Sequence, residues 1–102
     1  MTPRELKNLA WTGDAVLALY AREWLLRQPD HPRFTRQQLF VRLTSNNFLM
    51  ALGEPTRVEA EIGRIYHEDG LDAAFAHIES TLQPLFKKHL ANATKGHRGQ
   101  KR

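Results

Sequence analysis

The chain has 102 residues, 15 Lys or Arg against 11 Asp or Glu, a formal net charge of +4 and no cysteine. That length suits one domain with a modest core that gains from a partner subunit, and the lack of thiols excludes a disulfide framework and any thiolate metal or nucleophile site. The apolar runs are short and broken by charges, and Met1-Thr2-Pro3-Arg4-Glu5 has no signal-peptide core, so a cytoplasmic protein without a membrane segment is expected.

Thr2, Pro3 and Glu5 read as a capping box opening a first helix over about residues 3–27. Leu6, Leu9, Gly13, Val16, Leu17, Tyr20 and Trp24 follow at three- and four-residue steps along one face of it. Pro29 and Pro32 end it. Thr35 and Gln38 repeat the capping box and predict a second helix to about Leu52, with Leu39, Leu43, Asn46 or Asn47, and Met50 on one side. Gly53 and Pro55 mark a stop and a restart, and a third helix reaches His67 through Val58, Ile62 and Ile65. Asp69-Gly70 closes it. A fourth helix presents Leu71, Ala74, Phe75, Ile78 and Leu82, and Pro84 either kinks it or starts a fifth piece through Leu90. No segment alternates with period two, so the domain reads as all-α.

The charge is uneven. Lys87, Lys88, Lys95, Arg98, Lys101 and Arg102 fall in the last sixteen residues, which contain no acid, and the rest of the chain is slightly acidic. A helical domain over 1–92 and a basic, disordered tail over 93–102 are expected, the cluster being suited to RNA phosphates through counterion release.

Gly13 and Asp14 stand side by side inside a helix that should be buried, against the local propensity of both. Glu59 has Gly63 four residues on. Isolated helical acids are ordinarily solvated, but a bare glycine face lets a second helix approach and would hold Asp14 and Glu59 together. Carboxylates gathered in one cleft suit Mg²⁺, a hard cation that keeps several waters and bridges phosphate oxygens, and this points towards phosphodiesters.

Other chemistries find less support. His31, His67, His77, His89 and His97 show no zinc-binding spacing, and Thr44, Ser45, Ser80 and Thr81 lack a nucleophile motif. The aromatic residues at helical spacing read as core, except Trp11, which lies off the apolar stripe and is a candidate for a partner subunit. Asn46 and Asn47 read as surface residues or as polar lining of the cleft that holds Asp14.

Residues Leu9 to Leu17, followed by Tyr20 to Leu26, resemble the signature helix of the ribonuclease III family, and Glu59 to Tyr66 resembles that family's second acidic motif. Leu43 to Leu49, Asp69 to Phe75 and Leu82 to Leu85 extend the resemblance over roughly residues 6 to 90. It implies an all-α, ribonuclease III-like helical bundle that dimerises, binds double-stranded RNA across a cleft and uses magnesium, or manganese in its place, to activate water against the phosphodiester. Asp14 and Glu59 are then the catalytic metal ligands.

Ala10 stands where the full-length pattern has a glutamate and Thr56 where it has an aspartate, a combination similar to the Mini-ribonuclease III branch. That branch has no separate double-stranded RNA-binding domain and trims ribosomal RNA precursors. Only 44 residues lie between Asp14 and Glu59, so the domain is shortened there by a helix and a basic loop. Glu54 and Glu61 are the acids available as a further ligand, and Glu61, two residues from Glu59, points about 200° away on a regular helix. The alternatives are a non-catalytic dimeric module that holds RNA or a ribonucleoprotein through the basic residues, and a helical protein–protein adaptor.

Overall fold

The computed structural model describes the backbone of residues 1–99 and the side-chain surroundings of residues 1–94. Every regular element among the described residues is helical: α1 (Pro3–Leu26), α2 (Arg36–Leu43), α3 (Asn46–Leu49), α4 (Pro55–Asp69), α5 (Leu71–Thr81) and α6 (Gln83–Gly99).

The capping box at Thr2 is formed in both directions. The Glu5 N–H donates to Thr2 Oγ1 at 3.1 Å and the Thr2 N–H donates to Glu5 Oε1 at 2.7 Å. Pro3 occupies the first turn, where its missing donor costs nothing. Gly13, Val16, Leu17, Tyr20 and Trp24 are buried on one side of the helix, the stripe expected from their spacing. α1 packs along α4 over much of its length, and α5 and α6 close the other side.

The segment expected as one helix to Leu52 breaks at Thr44-Ser45. The Thr44 hydroxyl donates to the Phe40 carbonyl at 2.8 Å and the Ser45 hydroxyl to the Arg42 carbonyl at 2.9 Å, which satisfies the end of α2. Ser45 Oγ also accepts the Phe48 N–H at 3.1 Å and caps α3. The restart changes the register. Leu49 is buried, while Asn46, Asn47 and Met50 face solvent instead of sharing a side with Leu39 and Leu43. Ser45→Ala is expected to destabilise the fold by about 1 kcal/mol, read from the chemical-denaturation midpoint, because one cap is lost at each of two helix ends.

Gly70, with φ of 97°, turns the chain between α4 and α5 in a conformation that favours glycine. Leu71 at the start of α5 is exposed rather than part of the buried face. Pro84 starts a new helix instead of kinking α5, and α6 carries Leu82's neighbour Phe86 into the core. Phe86 has no exposed surface and meets Trp24 at a ring separation of 5.4 Å and Phe48 at 5.6 Å.

The α6 helix runs on to Gly99, into the segment 93–102 expected as a basic, disordered tail, whose residues 100–102 lie outside the described residues. Ala91 and Ala93 favour helix, and the α1–α2 loop fastens this part of it. His31 Nδ1 accepts the Arg33 and Phe34 N–H groups at 3.0 and 3.3 Å, which leaves the ring proton on Nε2 to donate to the Leu90 carbonyl at 3.2 Å. Thr94 Oγ1 lies 3.2 Å from the same nitrogen, and Arg33 Nη1 donates to the Ala93 carbonyl at 3.2 Å. His31→Ala should lower the unfolding free energy by about 1–2 kcal/mol in denaturant titrations, since it removes bonds at both ends of one ring.

Candidate functional site

The centre of the α1–α4 contact is built from two glycines. A Cβ on Gly13 would fall on the Glu59 carbonyl oxygen and lie 2.9 Å from the Gly63 nitrogen; one on Gly63 would fall on the Leu9 carbonyl oxygen and lie 3.1 Å from the Gly13 nitrogen. The helices therefore meet backbone to backbone. Asp14 follows Gly13, and Glu59 supplies the carbonyl that Gly13 touches, so the crossing sets the two acids side by side.

Their carboxyl groups are within hydrogen-bonding reach of one another. Asp14 is exposed and Glu59 half-buried. The Glu59 carboxyl is pushed up to about 7, first by burial, then by its hydrogen bond with Asp14 and the charge on Asp14, and last by the charge on Glu54. Near neutral pH the Glu59 carboxyl is therefore about half protonated, where an ordinary glutamate is ionised.

The two further acids are engaged elsewhere. Glu54 caps α4, accepting the Thr56 and Arg57 N–H groups at 3.1 Å each, and these bonds hold its carboxyl below the usual range. Glu61 receives two hydrogen bonds from Arg64, at 3.0 Å from Nε and 2.6 Å from Nη2, while Arg64 Nη1 also donates to Glu68 at 2.7 Å. Glu61 thus belongs to an ion-pair chain on another side of α4, as its two-residue offset from Glu59 requires. Arg64, which fixes that side, carries no sequence motif that would have singled it out.

The residues present fit a cation with few protein ligands. Among the described residues no group of three or more His, Cys, Asp or Glu side chains is placed to hold a metal. Two hard carboxylates suit Mg²⁺, which is commonly held by one or two acids and completes its shell with water and phosphate oxygen, and they do not suit zinc. Asp14 and Glu59 are the residues that would hold such a cation, and its charge would favour the ionised form of Glu59. Ala10, one turn before Asp14, is buried, and Thr56, one turn before Glu59, is half-buried; neither offers a charged ligand.

Trp11 is 81 % exposed, three residues before Asp14 on α1. No other large apolar side chain among the described residues is as exposed. Lys87 and Lys88 lie on the solvent side of α6. α6 reaches α1 through Phe86 at Tyr20 and Trp24, so these lysines stand at a different point along α1 from Asp14. The side chains of Lys95, Arg98, Lys101 and Arg102 lie outside the described residues. Among the described residues no helix is long and apolar enough to cross a membrane.

No protein-family model matches the chain, and neither a curated protein nor a solved structure is similar to it at a significant level.

Proposed function

We propose that this chain is a minimal Mg²⁺-dependent endoribonuclease of the ribonuclease III type, closest to the Mini-ribonuclease III branch, acting as a homodimer on double-stranded or structured RNA such as ribosomal RNA precursors. The observation that carries the reading is the glycine-to-glycine helix crossing, which brings Glu59 beside Gly13 and its neighbour Asp14, with the Glu59 carboxyl raised by burial and by Asp14. Such a crossing overrides the helix propensity of Gly13 and Asp14 to place two acids together, which a solvated surface pair does not need.

In this reading Asp14 and Glu59 hold the cation. When bound, it neutralises charge developing on the phosphate and lowers the pKa of water. A bound cation would favour the ionised form of Glu59, so that both carboxylates could serve as ligands. The backbone contact beneath them keeps the separation of the two acids nearly constant as this happens. The exposed Trp11 is the anchor for the second protomer, and the bases of α6 hold RNA phosphates without reading sequence.

The test is cleavage of long duplex RNA and of a ribosomal RNA precursor by the purified chain. Cutting is expected with Mg²⁺ or Mn²⁺, none with chelator, and none by Asp14→Asn. Failure of the parent to cut either substrate with Mg²⁺ overturns the proposal. Trp11→Ala is expected to weaken self-association about tenfold or more in sedimentation experiments, because large aromatic anchors carry a disproportionate share of interface energy.

A second reading rests on the engagement of Glu54 and Glu61, which leaves two acids at the crossing. It is a non-catalytic dimeric module that binds RNA. There Glu59→Gln leaves RNA affinity and function unchanged, whereas in the nuclease it removes turnover.

A further inference from the structure

A cavity of about 280 Å³ opens between the α2–α3 junction and α6, lined by Arg42, Ser45, Asn47, Phe48, Ala51 and His89. It is lined by neither Asp14 nor Glu59, and none of its lining residues has a role in the nuclease reading. Its polar lining is a guanidinium, an amide, a hydroxyl and an imidazole, with no carboxylate.

The lining is not internally satisfied. His89 Nε2 is buried and has no hydrogen-bond partner among the described residues. The Arg42 guanidinium makes no ion pair with an acid among the described residues; it stacks on the Phe34 ring at 4.2 Å, which orients it without neutralising it. The Ser45 hydroxyl is spent on the break in the helix, donating to the Arg42 carbonyl. That bond ties the cavity wall to the residue whose side chain supplies its charge.

The fixed positive charge that faces His89 is that of Arg42. Arg42 comes from α2, His31 from the α1–α2 loop and Lys88 from α6 itself, while α3 contributes no titratable group. Burial, then Arg42, then His31 hold the His89 imidazole below its usual range. The positive potential that discourages a proton there attracts an anion.

We propose that this cavity is a phosphate-oxyanion site, in which Arg42 provides the charge and Asn47 a neutral donor, with the His89 imidazole in its wall. A tetrahedral oxyanion matches a fork of guanidinium donors better than a carboxylate-free apolar ligand would, and the site has room for it with retained water. Its occupant is either free phosphate or a backbone phosphate of RNA; the site itself needs neither Asp14 nor Glu59.

The experiment follows the histidine ring resonances of the full chain by NMR while inorganic phosphate replaces chloride at constant ionic strength. A saturable shift of the His89 signals is expected, with its titration midpoint moving upward, because a bound anion favours the protonated ring. Arg42→Gln, a change at an exposed side chain, should weaken this response about tenfold, as expected for loss of a charge-assisted bond. A His89 midpoint that phosphate leaves unmoved overturns the site, as does an equal response in Arg42→Gln. Competition then separates the sources. If short duplex RNA displaces phosphate at His89 in the parent but not in Arg42→Gln, the occupant is backbone phosphate; if RNA binds with phosphate still in place, it is the free anion.

Discussion

Gly13→Ala is expected to lower the unfolding free energy by more than about 3 kcal/mol, or to prevent folding, although it adds a single methyl group in a helix. Overpacking a core usually costs about 1–3 kcal/mol because side chains yield. Here the added carbon meets the Glu59 carbonyl and the Gly63 backbone, so that relief requires moving one whole helix away from another. Gly63→Ala should behave alike through the Leu9 carbonyl. Gly53 supplies the control: a Cβ there meets only Val58 Cγ2, at 3.5 Å, and Gly53→Ala should change stability little. Denaturant titrations of the three variants, followed by far-ultraviolet circular dichroism, check the ordering. Equal effects at all three positions would remove the backbone contact as the basis of the site.

Glu59→Gln should move stability and turnover in opposite directions. In the metal-free protein the Glu59 carboxyl holds its proton up to about 7, against 4.5 for an ordinary glutamate, so between those values the folded chain binds more protons than the unfolded one. The stabilising contribution is complete below about pH 4.5 and is lost as pH rises through about 7. The full shift corresponds to about 3 kcal/mol, and solvent access to the half-buried side chain reduces this to roughly 1–2 kcal/mol. Glutamine cannot ionise beside Asp14. The variant should therefore be more stable than the parent at pH 8, and its stability should lack the fall between pH 5 and pH 8. Mg²⁺ should restore the parent at pH 8 and leave the variant unaffected. Turnover on duplex RNA should fall by about 10³-fold or more, the loss of several kcal/mol of charge stabilisation supplied through the ligand. Thermal unfolding across pH, with and without Mg²⁺, gives the first half, and single-turnover cleavage the second.

The helices that open on strong local chemistry were the most legible. The Thr2–Glu5 capping box, Pro55 and Gly70 each act within a few residues of themselves, and α1 and α4 begin and end close to where those residues predict. The proximity of Gly13 to Gly63 was also readable in outline, since two glycines at poor helix positions need an external reason. The α2–α3 break was not. Thr44 and Ser45 are compatible with a continuing helix, and the break depends on their hydroxyls closing onto the Phe40 and Arg42 carbonyls. The contact of α6 with His31, nearly sixty residues before Leu90, is one that no local pattern reports. The two-residue offset of Glu61 from Glu59 set it on another face in advance, whereas the place of Glu54 was left open. What separates them from Glu59 is partnership: one serves the end of a helix, the other an arginine, and neither role has a fixed spacing to Asp14.

The crossing of α1 and α4 also acts as an index. Sliding either helix by one turn would bring Leu9 or Leu17, or Glu59 or His67, to the place of a glycine, and no side chain fits there. Only one alignment of the two helices permits contact, and in that alignment Asp14 and Glu59 are adjacent. The two acids are thus brought together during folding, before any ion arrives. Holding them there opposes the stability of the domain once Glu59 ionises, and in the proposed nuclease a cation entering the pair would relieve that opposition without having to assemble its own ligands.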